Sequence, residues 1–244
     1  MWYRNLFKGK WANFWVEEYE ELSERTMDDI EFLRETLTKG VTLDLCCGYG
    51  RHSIPLSSYG DIVSFDLSRD FLLILRSKDH NKKLNLIQGD MRKLPFREEC
   101  FDNVINMSTS FGYFSDEENE LVLREVSRVL KPNGVFILDT VNPWWLIRNF
   151  QERSWDESNS FYVLERRNLD WGSKRMRSRW ILIDKKEGKI DELPVDYRLY
   201  DLNELKNLLT KVGLEMLNVY SSSKKEEFHE ASSRRMLIIA KKHN

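Results

Sequence analysis

Cysteine is scarce in this 244-residue chain: there are three, and two of them are neighbours, Cys46 and Cys47. So few thiols make a poor disulfide framework, which predicts a reducing, cytoplasmic setting. They make an equally poor metal clamp. No C-x-x-C is present and Cys100 stands alone, so small buried thiols are expected and no metal site. A C-x-x-x-C-x-x-C cluster is also missing, which excludes that route to iron–sulfur radical chemistry. Charge of one sign is not in excess. The 38 Lys and Arg against 40 Asp and Glu leave a net charge of −2, giving no global reason to expect nucleic acid or an anionic membrane as partner. No apolar run approaches a membrane span, and the opening "MWYRNLFKGKW" lacks the apolar centre of a signal peptide. A soluble protein is expected. No internal repeat or low-complexity tract interrupts it.

What is present has a clear rhythm. Two helices come first, the second opening at Thr26 with Asp29 as its capping partner, burying Ile30, Leu33 and Leu37 and stopping at Gly40. Then "VTLDL", "IVSFDL", "LNLIQGD", "NVINM" and "VFILDT" are short apolar runs separated mostly by helical patterns. Such runs predict parallel strands covered on both faces, hence a doubly wound α/β fold. The helix from Ser115 to about Leu130 has a capping box, Ser115 with Glu118, and "KPNG" ends it. After Thr140 the alternation stops. "FYVLERRN", "RMRSRWILID" and "VDYRLY" read as antiparallel strands joined by turn-forming segments. A last helix starts at Asp201 with Glu204 in its cap and ends at Gly213, and "LEMLNVY" and "RRMLIIAKK" complete the sheet. The expected organisation is a helical lid over residues 1–40, a core over 41–140 and 201–244, and an antiparallel cap inserted at 141–200 where a substrate binds.

The stretch "LDLCCGYGRHS", Leu43 to Ser53, carries the chemistry. Glycines between a strand and its helix let a ligand approach the backbone. A dinucleotide loop wants G-x-G-x-x-G; Gly48 and Gly50 fit, but Ser53 takes the third place. Asp44, just before the loop, would repel a pyrophosphate and attract a cation. Asp66 ends the next strand, 18 residues after Gly48, the distance at which an acid accepts from ribose hydroxyls. Asp90, in "QGD", is a third acid on the same edge. Together they suit a ligand joining a positive charge to a ribose and a base, without phosphate.

S-adenosylmethionine meets that description, and here the sequence resembles the class I S-adenosylmethionine-dependent methyltransferases. "LDLCCGYG" is similar to their first motif, with Cys46 in the first glycine position, and "SFDLS", "QGDMRKLPF", "FDNVINMSTSFGYF" and "LKPNGVFILDT" follow in the family's order from Leu43 to Thr140. The resemblance implies a Rossmann-like, mostly parallel seven-stranded sheet, with S-adenosyl-L-methionine as cofactor and S-adenosyl-L-homocysteine as product. It implies that Asp44 and the Cys46–Gly50 backbone face the methionine portion, with Met107 beside it. It also puts Asp66 on the ribose, Leu67 and Met91 against the adenine, and Asp90 near the adenine amino group. A cysteine can stand at position 46 if its φ stays negative.

The acceptor side is drawn more loosely. "FGYF" follows the fourth strand where an acceptor would meet the methyl group, so Tyr113 is expected to touch the nucleophile and Phe111 to line the site. Tyr19 from the lid, and Trp144 and Arg179 from the cap, are further substrate candidates; core packing and a solvated sheet face are their bland alternatives. His52 is read either as leaning toward the methionine carboxylate or as a structural histidine. No N/D-P-P-Y follows the fourth strand, which argues against amino-methylation of DNA. Aromatic residues, 12% of the chain, crowd the lid and cap and favour a small-molecule acceptor with a nitrogen or oxygen nucleophile. The alternatives are an RNA methyltransferase using Arg175, Arg177 and Arg179, a non-catalytic cofactor-binding scaffold, and a nicotinamide-dependent oxidoreductase that Asp44 and Ser53 oppose.

Overall fold

The five apolar runs become parallel strands β1 (Val41–Leu45), β2 (Asp61–Asp66), β3 (Asn85–Gln88), β4 (Phe101–Asn106) and β5 (Leu130–Val141) in the computed structural model, which describes residues 1–20 and 23–243. Two later strands, β10 (Leu214–Tyr220) and β11 (Arg235–Lys242), extend the sheet to seven in the order β10-β11-β5-β4-β1-β2-β3, with β11 antiparallel to both its neighbours. Strand order reverses between β1 and β4, so their carboxyl ends open a crevice where doubly wound folds place ligands. This is a mixed α/β, mostly parallel, Rossmann-like sheet.

Alternation along the strands feeds two cores. Leu43, Leu45, Phe65 and Val104 pack with α6 (Asp116–Val129) and α8 (Leu202–Lys211) on one face. Ile62, Ile105, Ile137 and Leu237 pack on the other with α3 (Ser23–Thr36), α4 (Ser53–Leu56) and α5 (Arg69–Lys78). Both anticipated capping boxes close, Ser115 with Glu118 on α6 and Asp201 with Glu204 on α8.

The helices of residues 1–40 divide between cap and core. α1 (Trp2–Asn5) and α2 (Lys10–Glu20) reach the cap, but α3 buries Ile30, Phe32 and Leu33 against the sheet and belongs to the core. Thr26 lies inside α3, which already includes Ser23, and does not open it. Asp29 is not a cap: it is fully buried and receives bonds from Arg51, Ser223 and Arg235. The insert holds α7 (Pro143–Arg148) and a sheet of four strands, one more than anticipated: β6 (Arg153–Glu157), β7 (Phe161–Asp170), β8 (Arg175–Asp184) and β9 (Ile190–Arg198). Its inner face, Phe161, Val163, Leu182 and Val195, packs on Trp11 and Phe14 of α2. No helix among the described residues is long and apolar enough to cross a membrane.

Candidate active site

A cavity of about 840 Å³ runs from the carboxyl ends of β1–β4 to the underside of the cap, roofed by α1 and α2. Its floor is the β1–α4 loop. Cys46 sits at φ +64°, against the expectation of a negative φ, in the left-handed region where a side chain costs about 1–2 kcal/mol. It takes the conformation a glycine would take, and its sulfur rests 3.5 Å from the Met91 sulfur. Burial, with Asp66 and Asp44 nearby, pushes its thiol well above the ordinary range, so Cys46 is an apolar part of the floor. Gly48 lines the cavity, whereas Gly50 lies beneath it: at φ +89° any Cβ would overlap Leu75 of α5. Gly50 therefore serves the close seating of loop on helix.

The acids divide in the same way. Asp66 reaches the cavity at the tip of β2, one oxygen accepting from Gly48 N–H at 2.8 Å and the other from Ser68 N–H at 2.7 Å. Burial pushes its carboxyl up to about 6, backbone hydrogen bonds from Ser68, Gly48 and Leu67 opposing. Each oxygen keeps a lone pair for a ribose hydroxyl. Asp44 is 1% exposed and lies under the loop, bonded by Ser53 Oγ at 2.6 Å. It does not touch the cavity, because the loop covers it. Burial, followed by the charge of Asp66, raises it to about 7 although Ser53 opposes. Asp90 lines the cavity past β3, held below the usual carboxylate range chiefly by the Arg92 guanidinium, 2.6 Å away. Leu67, Met91 and Met107 supply apolar wall between these groups.

On the acceptor side Tyr113 and Tyr19 line the cavity. Phe111 does not: it turns into the core and packs on Tyr200 at 5.4 Å. Trp144 is exposed on α7 beside Trp171, and Arg179 lies on the outer face of β8 paired with Glu192, so neither reaches the site. Period-two alternation explains the misplacement on β8, since Trp180, the next residue, is the one that faces the cavity. The sequence reading also missed Trp2, Phe7 and Tyr197 in the wall, and Arg25 and Arg51 at its end. Arg51 stands in the opening motif itself and could have been singled out there. The aromatic rings touch in series: Trp2 to Tyr113 at 5.0 Å, Phe7 to Tyr113 at 6.2 Å, and Trp15 to Trp180 at 5.4 Å. His52 is a buried structural residue at the cavity edge, 3.4 Å from Asp29, and burial with the Arg51 charge lowers it to about 4.

Fold and site together define a crevice at the switch point of a doubly wound sheet, with the carboxylates of Asp66 and Asp90 in its wall. Comparison with known proteins gives it relatives. Residues 42–134 match the model of the methyltransferase domain. The demethylmenaquinone methyltransferase of Staphylococcus haemolyticus is 34% identical over 107 residues, 41% of this chain and 44% of that protein. The chain thus spans about half the length, or less, of the curated relatives it matches. Among solved structures, an S-adenosylmethionine-dependent methyltransferase from Clostridium acetobutylicum superposes with a TM-score of 0.80 at 19% identity, covering 96% of this chain and 99% of that one. The sugar N-methyltransferase KedS8 from Streptoalloteichus does so at 0.71 and 19%, covering 94% and 93%. Residues 42–134 thus carry a methyltransferase domain of the S-adenosylmethionine-dependent type, the class of enzyme whose cofactor is S-adenosyl-L-methionine.

Proposed function

We propose that the protein transfers the methyl group of S-adenosylmethionine to the nitrogen of a small-molecule amine. The observation that carries this reading is the aromatic chamber that continues the cofactor crevice under the cap. Rings present a negative face to the positive charge that develops on the nitrogen as it takes the methyl group, worth about 0.5–2 kcal/mol per contact in such a setting. Among the described residues of the chamber, neither the phenols nor the His52 imidazole is tuned toward neutral pH. Burial raises the phenols of Tyr113 and Tyr19 and takes Tyr197 up to about 12, so they remain neutral hydrogen-bonding groups. An amine can arrive neutral and needs no base, whereas a hydroxyl acceptor usually does. The bound cofactor supplies a methyl on a sulfonium, a good leaving group. What the chain contributes is orientation and dryness: Asp66 and Asp90 fix the nucleoside, the loop backbone fixes the methionine portion, and Tyr113 contacts the acceptor nitrogen. Orientation of this kind can lower a barrier by about 7–11 kcal/mol.

The demethylmenaquinone methyltransferase relatives would suggest a quinone-like acceptor, but the matched 107 residues are well under half of the chain and say little about the cap. Likeness to the sugar N-methyltransferase extends over the cap, at the level of fold. The test is transfer of labelled methyl to panels of amino sugars, amino acids, quinols and RNA. Label is expected in an amine; label appearing only in the quinols or RNA overturns the reading. Asp66→Ala is expected to weaken S-adenosylmethionine about ten- to a hundredfold by calorimetry, since a charge-assisted hydrogen bond is worth about 1.5–3 kcal/mol.

A further inference from the structure

The cap sheet ends in an uncovered strand. β6 pairs with β7 and forms one edge of the order β6-β7-β8-β9. Arg167 N–H donates to the Glu152 carbonyl at 2.7 Å and Ser158 N–H to the Phe161 carbonyl at 2.9 Å, one at each end of this ladder. Bonded pairs alternate along antiparallel strands, so between those ends Ser154 and Asp156 turn their backbone groups to β7. The backbone groups of Arg153, Trp155 and Glu157 point outward. Glu157 N–H, lacking a strand beside it, donates to Oδ1 of the adjacent Asp156 at 2.8 Å.

The side chains at this edge do not blunt it. Trp155 is 68% exposed and stands opposite Leu164, itself exposed, which stands opposite Ile181. An apolar cross-strand row thus runs out to the edge and stops there, and a second row, Tyr162, Ile183 and Ile190, lies beside it. Large apolar side chains on an open edge are a template for another strand. The charges say which strand. In "RSWDE", Arg153 comes two residues before Trp155 and Glu157 two residues after it. Turned antiparallel onto itself about Trp155, the segment sets Arg153 of one copy opposite Glu157 of the other, twice by symmetry, and Trp155 opposite Trp155. These are the positions whose backbone groups point outward, so backbone and side chains select the same register. Arg153 has a loose ion pair with Glu152, 3.9 Å, and Glu157, paired with Lys185 at 2.6 Å, can accept from a second donor.

We propose that the protein forms a twofold dimer through β6, which pairs antiparallel with β6 of a second copy about Trp155 and joins the two cap sheets into one. The Arg153–Glu157 and Trp155–Trp155 pairs exchange backbone hydrogen bonds in both directions, and the tryptophans cover each other and Leu164 across the axis. No residue of β6 lines the cofactor crevice, so this interface stands apart from the functional reading.

Sedimentation velocity on the full chain tests it. Wild type is expected at twice the 29.2 kDa of one chain at micromolar concentration. Trp155→Pro removes an outward N–H and the indole while keeping the bonds to β7, and is expected to sediment as a monomer. Arg153→Glu and Glu157→Arg each set like charges opposite one another at two places, and each should raise the dissociation constant about tenfold or more. The double variant Arg153→Glu/Glu157→Arg restores opposite charges and should recover most of that loss. A circular dichroism spectrum matching wild type shows that a variant is folded. A wild type that stays monomeric up to its solubility limit overturns the proposal. A dimer that Trp155→Pro and both single charge variants leave intact overturns this interface, and weakening by both singles without recovery in the double overturns the register about Trp155. Should Trp155→Pro not fold, the charge variants, placed on exposed side chains, decide alone.

Discussion

At the scale of single residues, the pair Asp44 and Asp66 sets the behaviour of the site with pH. Burial raises both carboxyls, Asp44 to about 7 and Asp66 to about 6, against about 4 in an unfolded chain. For an acid raised in this way, the contribution to stability is complete below about pH 4 and is lost as pH climbs through 6 to 7. On this count the free protein is more stable at pH 5 than at pH 8, and Asp44→Asn flattens that slope. Ligand binding runs the other way. In the proposed complex, the cofactor's positive charge on the far side of the loop from Asp44, and its ribose hydroxyls on Asp66, would both favour the ionised forms. Cofactor affinity is therefore expected to rise from pH 5.5 to pH 8, with proton release on binding, and the rise should shrink in Asp44→Asn. Calorimetry in buffers of different ionisation enthalpy measures this. Affinity flat across that range, without proton release, would contradict the electrostatic role given to the pair.

At the scale of elements, the loop after β4 is tied to the cap through one glycine. Gly112 sits at φ +104°, its carbonyl accepts from Arg198 N–H at 2.8 Å, and a Cβ there would fall 2.5 Å from the Arg198 carbonyl oxygen. Gly112→Ala meets both strain and a backbone clash, so a loss of at least about 2 kcal/mol is expected in denaturant titration. Methyl transfer should fall with it while S-adenosylhomocysteine affinity changes little, because Tyr113 moves and Asp66 does not. Gly188→Ala, also at positive φ but in open space, is the control and should cost about 1 kcal/mol. The elements whose ends carry chemical signals were legible in the sequence: α6 and α8 through their capping boxes, and β1 to β5 as apolar runs. β6 was not, because "RSWDE" has one large apolar residue and its tryptophan is exposed on an edge strand. Asp29 was misread because Thr26 and Asp29 have the spacing of a cap, and only the fold brings Arg51 and Arg235 to the aspartate. The strand-tip acids were legible from spacing, but their division between Asp66 in the cavity and Asp44 below it depends on how the loop folds back. On β8 the alternation was visible, while the face that turns inward was not.

At the scale of the whole molecule, α2 is the strut that joins core and cap. Its Ala12 packs with Tyr49 and Phe71 of the core, and Trp11 and Phe14 pack into the cap sheet. Lys10 pairs with Asp184 and Glu187 of the cap at 2.7 Å, and just before α2 the Gly9 N–H bonds Asp70 of α5 at 2.6 Å. α2 thus touches cap and core at once. On β8 of the cap, Arg175, Arg177 and Arg179 are each paired with an acid, Asp196, Asp170 and Glu192. Trp11 is the residue that separates strut from site. It is 2% exposed, bonds Asp191 at 2.9 Å through Nε1, stacks toward Trp180, and is absent from the cavity wall. Trp11→Ala removes the anchor without removing a ligand contact, at a cost of about 3–5 kcal/mol if the whole fold feels it. In wild type, S-adenosylhomocysteine should slow hydrogen exchange along α2, since the ligand fills the space that α2 roofs. In Trp11→Ala, exchange along α2 should be faster at rest and slowed much less by the ligand, while amides of β1 and β4 keep their protection. If the ligand leaves α2 exchange unchanged in wild type, the helix is a fixed wall, and closure of cap on core must be sought in another element.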